Sequence, residues 1–201
     1  MNRFLKRAWA EIDLDALEHN YNEIKKLAKG KEILAVVKAN AYGHDDKAVC
    51  LKLQELGVKY YGVSNLWEGE KLRCHGITGT ILTFGYTDED YFDELLEYGI
   101  TQTAGSVQYA KQLSDYAVSK GVKLPVHIKV NTGMTRVGID SQQEMLDILA
   151  MPGLDCKAAY THFAAADSLD PSDVEYTDRQ QEKLMKIAKD KGLLIHSQNS
   201  G

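Results

Sequence analysis

Residues 100–130 read ITQTAGSVQYAKQLSDYAVSKGVKLPVHIKV, and this stretch decides the fold class. Thr101 to Thr103 and Val126 to Val130 are short β-branched runs of the kind that form strands. The segment Ser106 to Lys120 between them opens on a helix N-cap residue and closes on Gly121. A strand, a helix and a strand at this length make a βαβ unit, whose two strands run parallel.

Outward from this unit the alternation continues in both directions. Ile33 to Lys38, Tyr60 to Val63, Thr80 to Thr83, Leu154 to Tyr160 and Leu193 to His196 complete seven strand candidates, and Ala8 to Asp13 reads as a further, peripheral strand. Thr87 to Tyr98 and Thr177 to Asp190 read as helices closing on Gly99 and Gly192, and Ser141 to Ala150 as one capped by Ser141 and stopped by Pro152. Near the start, Asp15 with Glu18 resembles a capping box, ahead of a helix whose Leu17, Tyr21, Ile24 and Ala28 share one face and which ends at Gly30. Seven βα units at this spacing fit an α/β fold of the (β/α)8 TIM-type barrel, incomplete by one of its eight strands, better than an open doubly wound sheet. Without internal repeats or a Pro- or Ser-rich linker, residues 1–201 read as one domain.

The net charge of −5 and the absence of a Lys/Arg run argue against nucleic acid and against an anionic membrane surface as partners. No apolar stretch approaches the roughly 18 residues of a membrane span, and Met1 to Lys6 runs into polar sequence without a signal-peptide core. A cytoplasmic protein acting on a small molecule is the expectation. Cys50, Cys74 and Cys156 are odd in number and lack metal-ligand spacing, so they read as ordinary buried or half-buried thiols, and no metal site is expected. Tyr60, Tyr61, Trp67 and Tyr109 read as packing residues, and His19, His75 and His127 as non-catalytic.

The unusual polar residues sit where strands end. Lys38 follows Ile33 to Val37, Lys129 and Arg136 lie at and beyond the end of Val126 to Val130, His162 follows Ala158 to Tyr160, and Asn199 with Ser200 follows Leu193 to His196. In a parallel barrel such ends face one rim, where active sites are built. Lys38 is the sharpest case: an amine at the end of Ala35-Val36-Val37 is partly desolvated, and a neutral amine forms a Schiff base. On position alone, a lysine snorkelling to water is the competing reading.

The string Ala35-Val36-Val37-Lys38-Ala39-Asn40-Ala41-Tyr42-Gly43-His44 turns that choice, because it resembles the pyridoxal-phosphate lysine motif of the alanine racemases. The resemblance implies that Lys38 carries the cofactor as an internal aldimine and serves as one of two catalytic bases, while Tyr42 reaches the phosphate. The family commonly has Gly where this chain has Asp45. His127 to Ile139 is similar to the family's substrate-carboxylate segment, with Arg136 as the carboxylate-binding residue, Met134 lining the pocket and Lys129 matching a lysine that is carbamylated in many members. A planar guanidinium suits both a carboxylate and a neighbouring anion. Tyr160 to Asp167 resembles the segment whose histidine, here His162, packs against the pyridine ring. His196-Ser197-Gln198-Asn199-Ser200 is similar to the family's Asn-Ser phosphate contact.

The resemblance runs from about Arg7 to Gly201 and implies a racemase that interconverts L- and D-alanine, as in D-alanine supply for peptidoglycan precursors. Complete members are homodimers and longer, ending in a last barrel strand and a C-terminal β-domain that supplies the tyrosine acting as the opposite base on the partner subunit. Neither part is expected within these 201 residues, so a complementary C-terminal chain is an expected partner and low activity of the chain alone an expected consequence. Two alternatives stay open: a serine racemase on the same scaffold, and a non-catalytic pyridoxal-phosphate-binding protein resembling the small barrels of cofactor homeostasis.

Overall fold

The computed structural model describes residues 8–197, which form two compact units, one up to Ile81 and one from Leu82 onward. In the first unit, helix α1 spans Leu14–Leu27 and is capped by Asp13, whose Oδ1 accepts the N–H groups of Asp15 at 2.9 Å and Ala16 at 3.0 Å. The cap therefore lies two residues before the Asp15 expected from sequence, and Asp15 is a first-turn acid, favourable at the positive end of the helix dipole. The expected strand over residues 8–13 is not formed: the segment has no ladder partner among the described residues, and its largest apolar side chain, Trp9, is 69% exposed. Of the expected apolar face of α1 only Tyr21 is buried, and Ile24 faces solvent.

Strand β1, Leu34–Val36, pairs in parallel with β2, Tyr60–Val63, placing Ala35 opposite Tyr61. Helices α2, Asp46–Glu55, and α3, Leu66–Cys74, follow β1 and β2. Their Val49, Leu53 and Leu72 are buried, as are Tyr61 and Val63 of β2. Two packing expectations fail on α3, where Trp67 is 58% exposed and Cys74 is exposed. Strand β3, Thr80–Thr83, spans the division between the units.

The second unit continues with α4, Phe92–Glu97, β4, Ile100–Ala104, and α5, Val107–Ser119. It then runs through β5, Leu124–Lys129, α6, Gln142–Leu149, β6, Leu154–Tyr160, α7, Pro171–Ala188, and β7, Leu194–His196. Strands β4 to β7 pair in parallel in chain order, as βαβ connections require. Strand β5 has paired neighbours on both edges, and its Val126, His127, Ile128 and Lys129 are all buried, the condition of a parallel strand covered on both faces.

Two helices differ from the sequence reading. Over Thr87 to Tyr98 a 3-10 turn at Glu89–Tyr91, capped by Asp88, precedes α4. Thr87 lies before this cap and is buried, its hydroxyl donating to Gln102 Oε1 at 2.8 Å. Helix α7 begins at Pro171, six residues before the expected Thr177, because Asp170 caps it and proline's missing N–H is harmless in a first turn. The capping box at Ser141 and Glu144 fixes the start of α6.

Seven parallel strands, the first six each followed by helix in chain order, are the topology of a (β/α)8 barrel, of which the described residues hold seven strands. No helix among the described residues is long and apolar enough to cross a membrane.

Candidate active site

In the first unit the chain leaves β1 through an unusual turn at Lys38–Gly43. Ala39, Asn40, Ala41 and Tyr42 all have φ between 50° and 57° and ψ between 36° and 48°, one turn of left-handed helix built without glycine. Such backbone costs roughly 1–2 kcal/mol per L-residue, so bonds from outside must hold it. Glu68 of α3 supplies the main one: its Oε1 accepts the Ala39 N–H at 2.9 Å while Oε2 accepts Ser64 N–H at 2.7 Å. One carboxylate thus ties the turn to the end of β2. Asn40 Oδ1 accepts the Asp46 N–H at 3.0 Å, and the ring N–H at Nδ1 of His44 donates to the Ala41 carbonyl at 2.9 Å. Asp45, where the family commonly has Gly, takes φ 67° and caps α2 by accepting from Ala48 N–H at 3.1 Å. Aspartate tolerates this region better than most side chains, so the departure leaves the turn intact.

The turn leaves Lys38 half-buried, with Nζ 6.0 Å from the centre of the Tyr42 ring, and leaves Tyr42 58% exposed. Strained backbone of this kind collects at functional sites, where surroundings over-determine it.

In the second unit the segment after β5 is pinched into a closed loop. Val130 bridges Ile139, Asn131 N–H donates to the Ile139 carbonyl, and Ile139 N–H donates to the Lys129 carbonyl, both at 2.9 Å. Gly138, at φ 134°, permits the closure, since a Cβ there would lie 2.5 Å from Asn131 N. Inside the loop Asn131 Oδ1 accepts from Gly133 N–H and Thr135 N–H. Met134 is half-buried and Arg136 is exposed.

Lys129 is only 6% exposed; its Nζ donates to the Val130 carbonyl at 2.8 Å and lies 5.7 Å from the Tyr160 ring centre. No carboxylate among the described residues pairs with it. Burial, and then the like charge of Arg136, lower its pKa to about 8. Arg136 also acts electrostatically on the Tyr160 hydroxyl, so the structure brings Lys129, Arg136 and Tyr160 together.

After β6, His162 is half-buried, and its carbonyl accepts from Gln180 of α7. Two further histidines meet across this unit: Nδ1 of His127 on β5 and Nε2 of His196 on β7 are 3.1 Å apart. The Tyr160 ring stacks on His196 at 4.8 Å with an interplanar angle of 4°. Burial lowers the pKa of His127 to about 4; burial, and then His127 itself, lower that of His196 to about 3. Asn199 and Ser200 lie outside the described residues.

Sequence reasoning missed Glu68, Gln180 and the His127–His196 pair. Glu68 carries only the signal of a first-turn acid three residues after the cap Asn65, and Gln180 carries none.

Residues 12–201 match the family model for the alanine racemase N-terminal domain. The alanine racemase of Clostridium perfringens strain SM101 is 39% identical over 211 aligned positions, covering all of this chain and 54% of the relative. That of Desulforamulus reducens is 40% identical over 184 positions, covering 89% of this chain and 49% of the relative. The chain therefore spans about half the length of the curated relatives it matches. Among solved structures, the alanine racemase of Clostridium difficile 630 superposes with a TM-score of 0.90 at 34% identity, over 98% of this chain and 54% of that one. A Bacillus anthracis alanine racemase with bound L-Ala-P superposes at 0.84 with 31% identity, over 98% of this chain and 53% of that one. With both units following the sequence and fold of these enzymes, the chain belongs to the alanine racemase N-terminal domain family, and its fold is an incomplete (β/α)8 barrel.

Proposed function

We propose that residues 1–201 form one partial barrel domain of a pyridoxal-phosphate-dependent alanine racemase, in which Lys38 holds the cofactor and Arg136 receives the substrate carboxylate. The observation that carries this reading is the turn after β1: four left-handed residues held by Glu68 and Asn40 leave Lys38 half-buried beside an exposed tyrosine. A group with an aldehyde and a phosphate fits that donor set, the amine of Lys38 for the first and the hydroxyl of Tyr42 for the second. His162 is assigned to the pyridine ring, and Asn199 and Ser200 to the phosphate, by their motifs.

Pyridoxal phosphate, when bound, supplies the electron sink that makes the α-proton of an amino acid removable. The residues of the chain do the rest. Lys38 Nζ anchors the cofactor and then moves the proton on one face of the substrate Cα. Arg136, on its closed loop beside half-buried Met134, fixes the carboxylate and so the presentation of that proton. Racemisation needs a base on each face; we assign one here, Lys38, and place the second in the portion of the family fold beyond the length matched, on a partner subunit.

Lys129 is a buried amine with its pKa lowered to about 8, so about a tenth of it is neutral at pH 7, far more than for an ordinary lysine. A neutral amine adds to carbon dioxide, forming an N–C bond and releasing one proton. The resulting carbamate would replace a cation within the electrostatic reach of Arg136 by an anion. The names of the relatives favour alanine over serine, and an arginine loop has no evident use in a protein that only stores cofactor.

The test is to incubate the chain with pyridoxal phosphate, reduce with borohydride and map the labelled peptide. We expect the label on Lys38 and its loss in Lys38→Ala. In Arg136→Ala the label should persist, while the spectral response to alanine weakens at least about tenfold. A label on another lysine would overturn the assignment of Lys38, and a stronger response to serine than to alanine would overturn the substrate.

A further inference from the structure

Three side chains of α7 stand at i, i+4 and i+7, on one face of the helix, and each donates to the segment that follows β5. Tyr176 Oη donates to the Gly133 carbonyl at 2.9 Å, Gln180 Nε2 to Thr132 Oγ1 at 3.2 Å, and Lys183 Nζ to Asp140 Oδ1 at 3.1 Å. The helix presses closely here, since a Cβ on Gly133 would fall 2.2 Å from Tyr176 Oη.

Gln180 does more than its two neighbours. It is fully buried, its Oε1 accepts the Ala164 N–H at 3.0 Å, and its Nε2 also reaches the His162 carbonyl at 3.4 Å. One amide therefore bonds both to the loop that carries Met134 and Arg136 and to the loop after β6 that carries His162. Beneath it, Thr132 Oγ1 and Thr161 Oγ1 are 2.7 Å apart, and Thr161 Oγ1 donates to the Val130 carbonyl at 3.0 Å. A carboxamide suits this place because it offers a donor and an acceptor at fixed separation, which neither a carboxylate nor an apolar side chain does.

We propose that Gln180 is a positioning residue that holds the loops after β5 and β6 in register, so that Arg136 and His162 keep their places when the substrate carboxylate binds. The register stands on the hydrogen bonds alone; the consequence for substrate rests on the racemase reading above. Tyr176 assists on the first loop only.

Amide hydrogen exchange on the full chain tests the register directly. Gln180→Met keeps the length of the side chain and removes its donor and acceptor. Exchange at Thr135 and Ala164 should rise together, at least about tenfold, with the β5–β6 ladder at Ile128 and Tyr160 unchanged. Tyr176→Phe, which deletes one hydroxyl, should raise exchange in residues 131–138 and leave Ala164 as it was. Unchanged loops in Gln180→Met, or an equal rise through the ladder, would overturn the proposal.

A second readout is alanine affinity of the cofactor-loaded chain, expected to fall about tenfold in Gln180→Met with cofactor still held. Arg136→Lys is the control for the underlying reading: it should weaken alanine binding without altering exchange in either loop. If Arg136→Lys binds alanine normally, the substrate reading fails while the exchange result still decides the register. If Arg136→Lys weakens binding and Gln180→Met does not, the positioning role is wrong.

Discussion

Lowering the pH from 7 to 4.5 should destabilise the second unit through the His127–His196 pair. An unfolded histidine takes up its proton near pH 6.5, whereas these two hold pKa values of about 4 and about 3 in the fold. Between those limits the unfolded state binds more protons than the folded one, so stability rises with pH and falls as the solution is acidified. The contribution is fully present above pH 6.5 and is lost progressively toward pH 4 and below. At pH 4.5 each ring is about two units below its unfolded value, and one unit is about 1.4 kcal/mol. His127, 4% exposed, then removes about 3 kcal/mol of stability, and the half-buried His196 up to as much again. Against a typical domain stability of about 5–15 kcal/mol this is a large share. The buried Lys129, 5.7 Å from the ring of the same Tyr160 that stacks on His196, adds a further positive charge to the surroundings of a charging pair. The assay is urea unfolding at half-unit pH steps from 7.5 to 4.5, comparing the wild type with His127→Gln/His196→Gln. Near pH 5.5 the wild-type slope should exceed that of the variant by nearly two protons. Equal slopes would refute the reasoning, because they would mean that both rings charge as freely in the fold as in the unfolded chain.

Glu68→Ala removes both acceptors that hold the Lys38 turn to β2, and at about 1.5–3 kcal/mol for each bond to a charged group, discounted for half exposure, should lower stability by about 2–4 kcal/mol. Borohydride labelling of Lys38 should fall with it in protein that is still folded by circular dichroism, and full labelling in a folded variant would remove Glu68 from the site. For Lys129, carbon-13 NMR in labelled bicarbonate at pH 7.5 should show a carbamate resonance that is absent in Lys129→Arg; an identical spectrum in the two proteins would show that the amine stays unmodified.

The parts of the fold that could be read from sequence are those fixed by neighbours along the chain. Strands β2, β3 and β6 fall on their expected residues, and Ser106, Ser141, Gly99 and Gly121 mark the expected helix ends, because caps and β-branched runs act within a few residues. Residues 8–13 fail for the complementary reason. An apolar run becomes a strand only when a partner offers its ladder, and no local signal reports whether one exists.

The site divides along the same line. Lys38, Lys129 and Arg136 stand out in the sequence as residue types at strand ends, and Tyr42 only through the motif, but the left-handed turn that presents Lys38 and Tyr42 does not. Nothing in Ala39-Asn40-Ala41-Tyr42 favours positive φ over ordinary backbone except the asparagine. The choice is made by Glu68, 29 residues ahead of Ala39, whose carboxylate satisfies a backbone N–H that the strained turn exposes. His127 and His196 are 69 residues apart, and each taken singly is an ordinary strand histidine; only their mutual burial depresses both pKa values. Gln180 reaches 48 residues back to Thr132 and 16 to Ala164. A buried polar side chain needs a partner, and its own sequence neighbours do not say where that partner is. Residues that hold others are therefore the ones a sequence hides, while the candidate site residues Lys38, Lys129 and Arg136 stand out by type and by their position at the ends of strands.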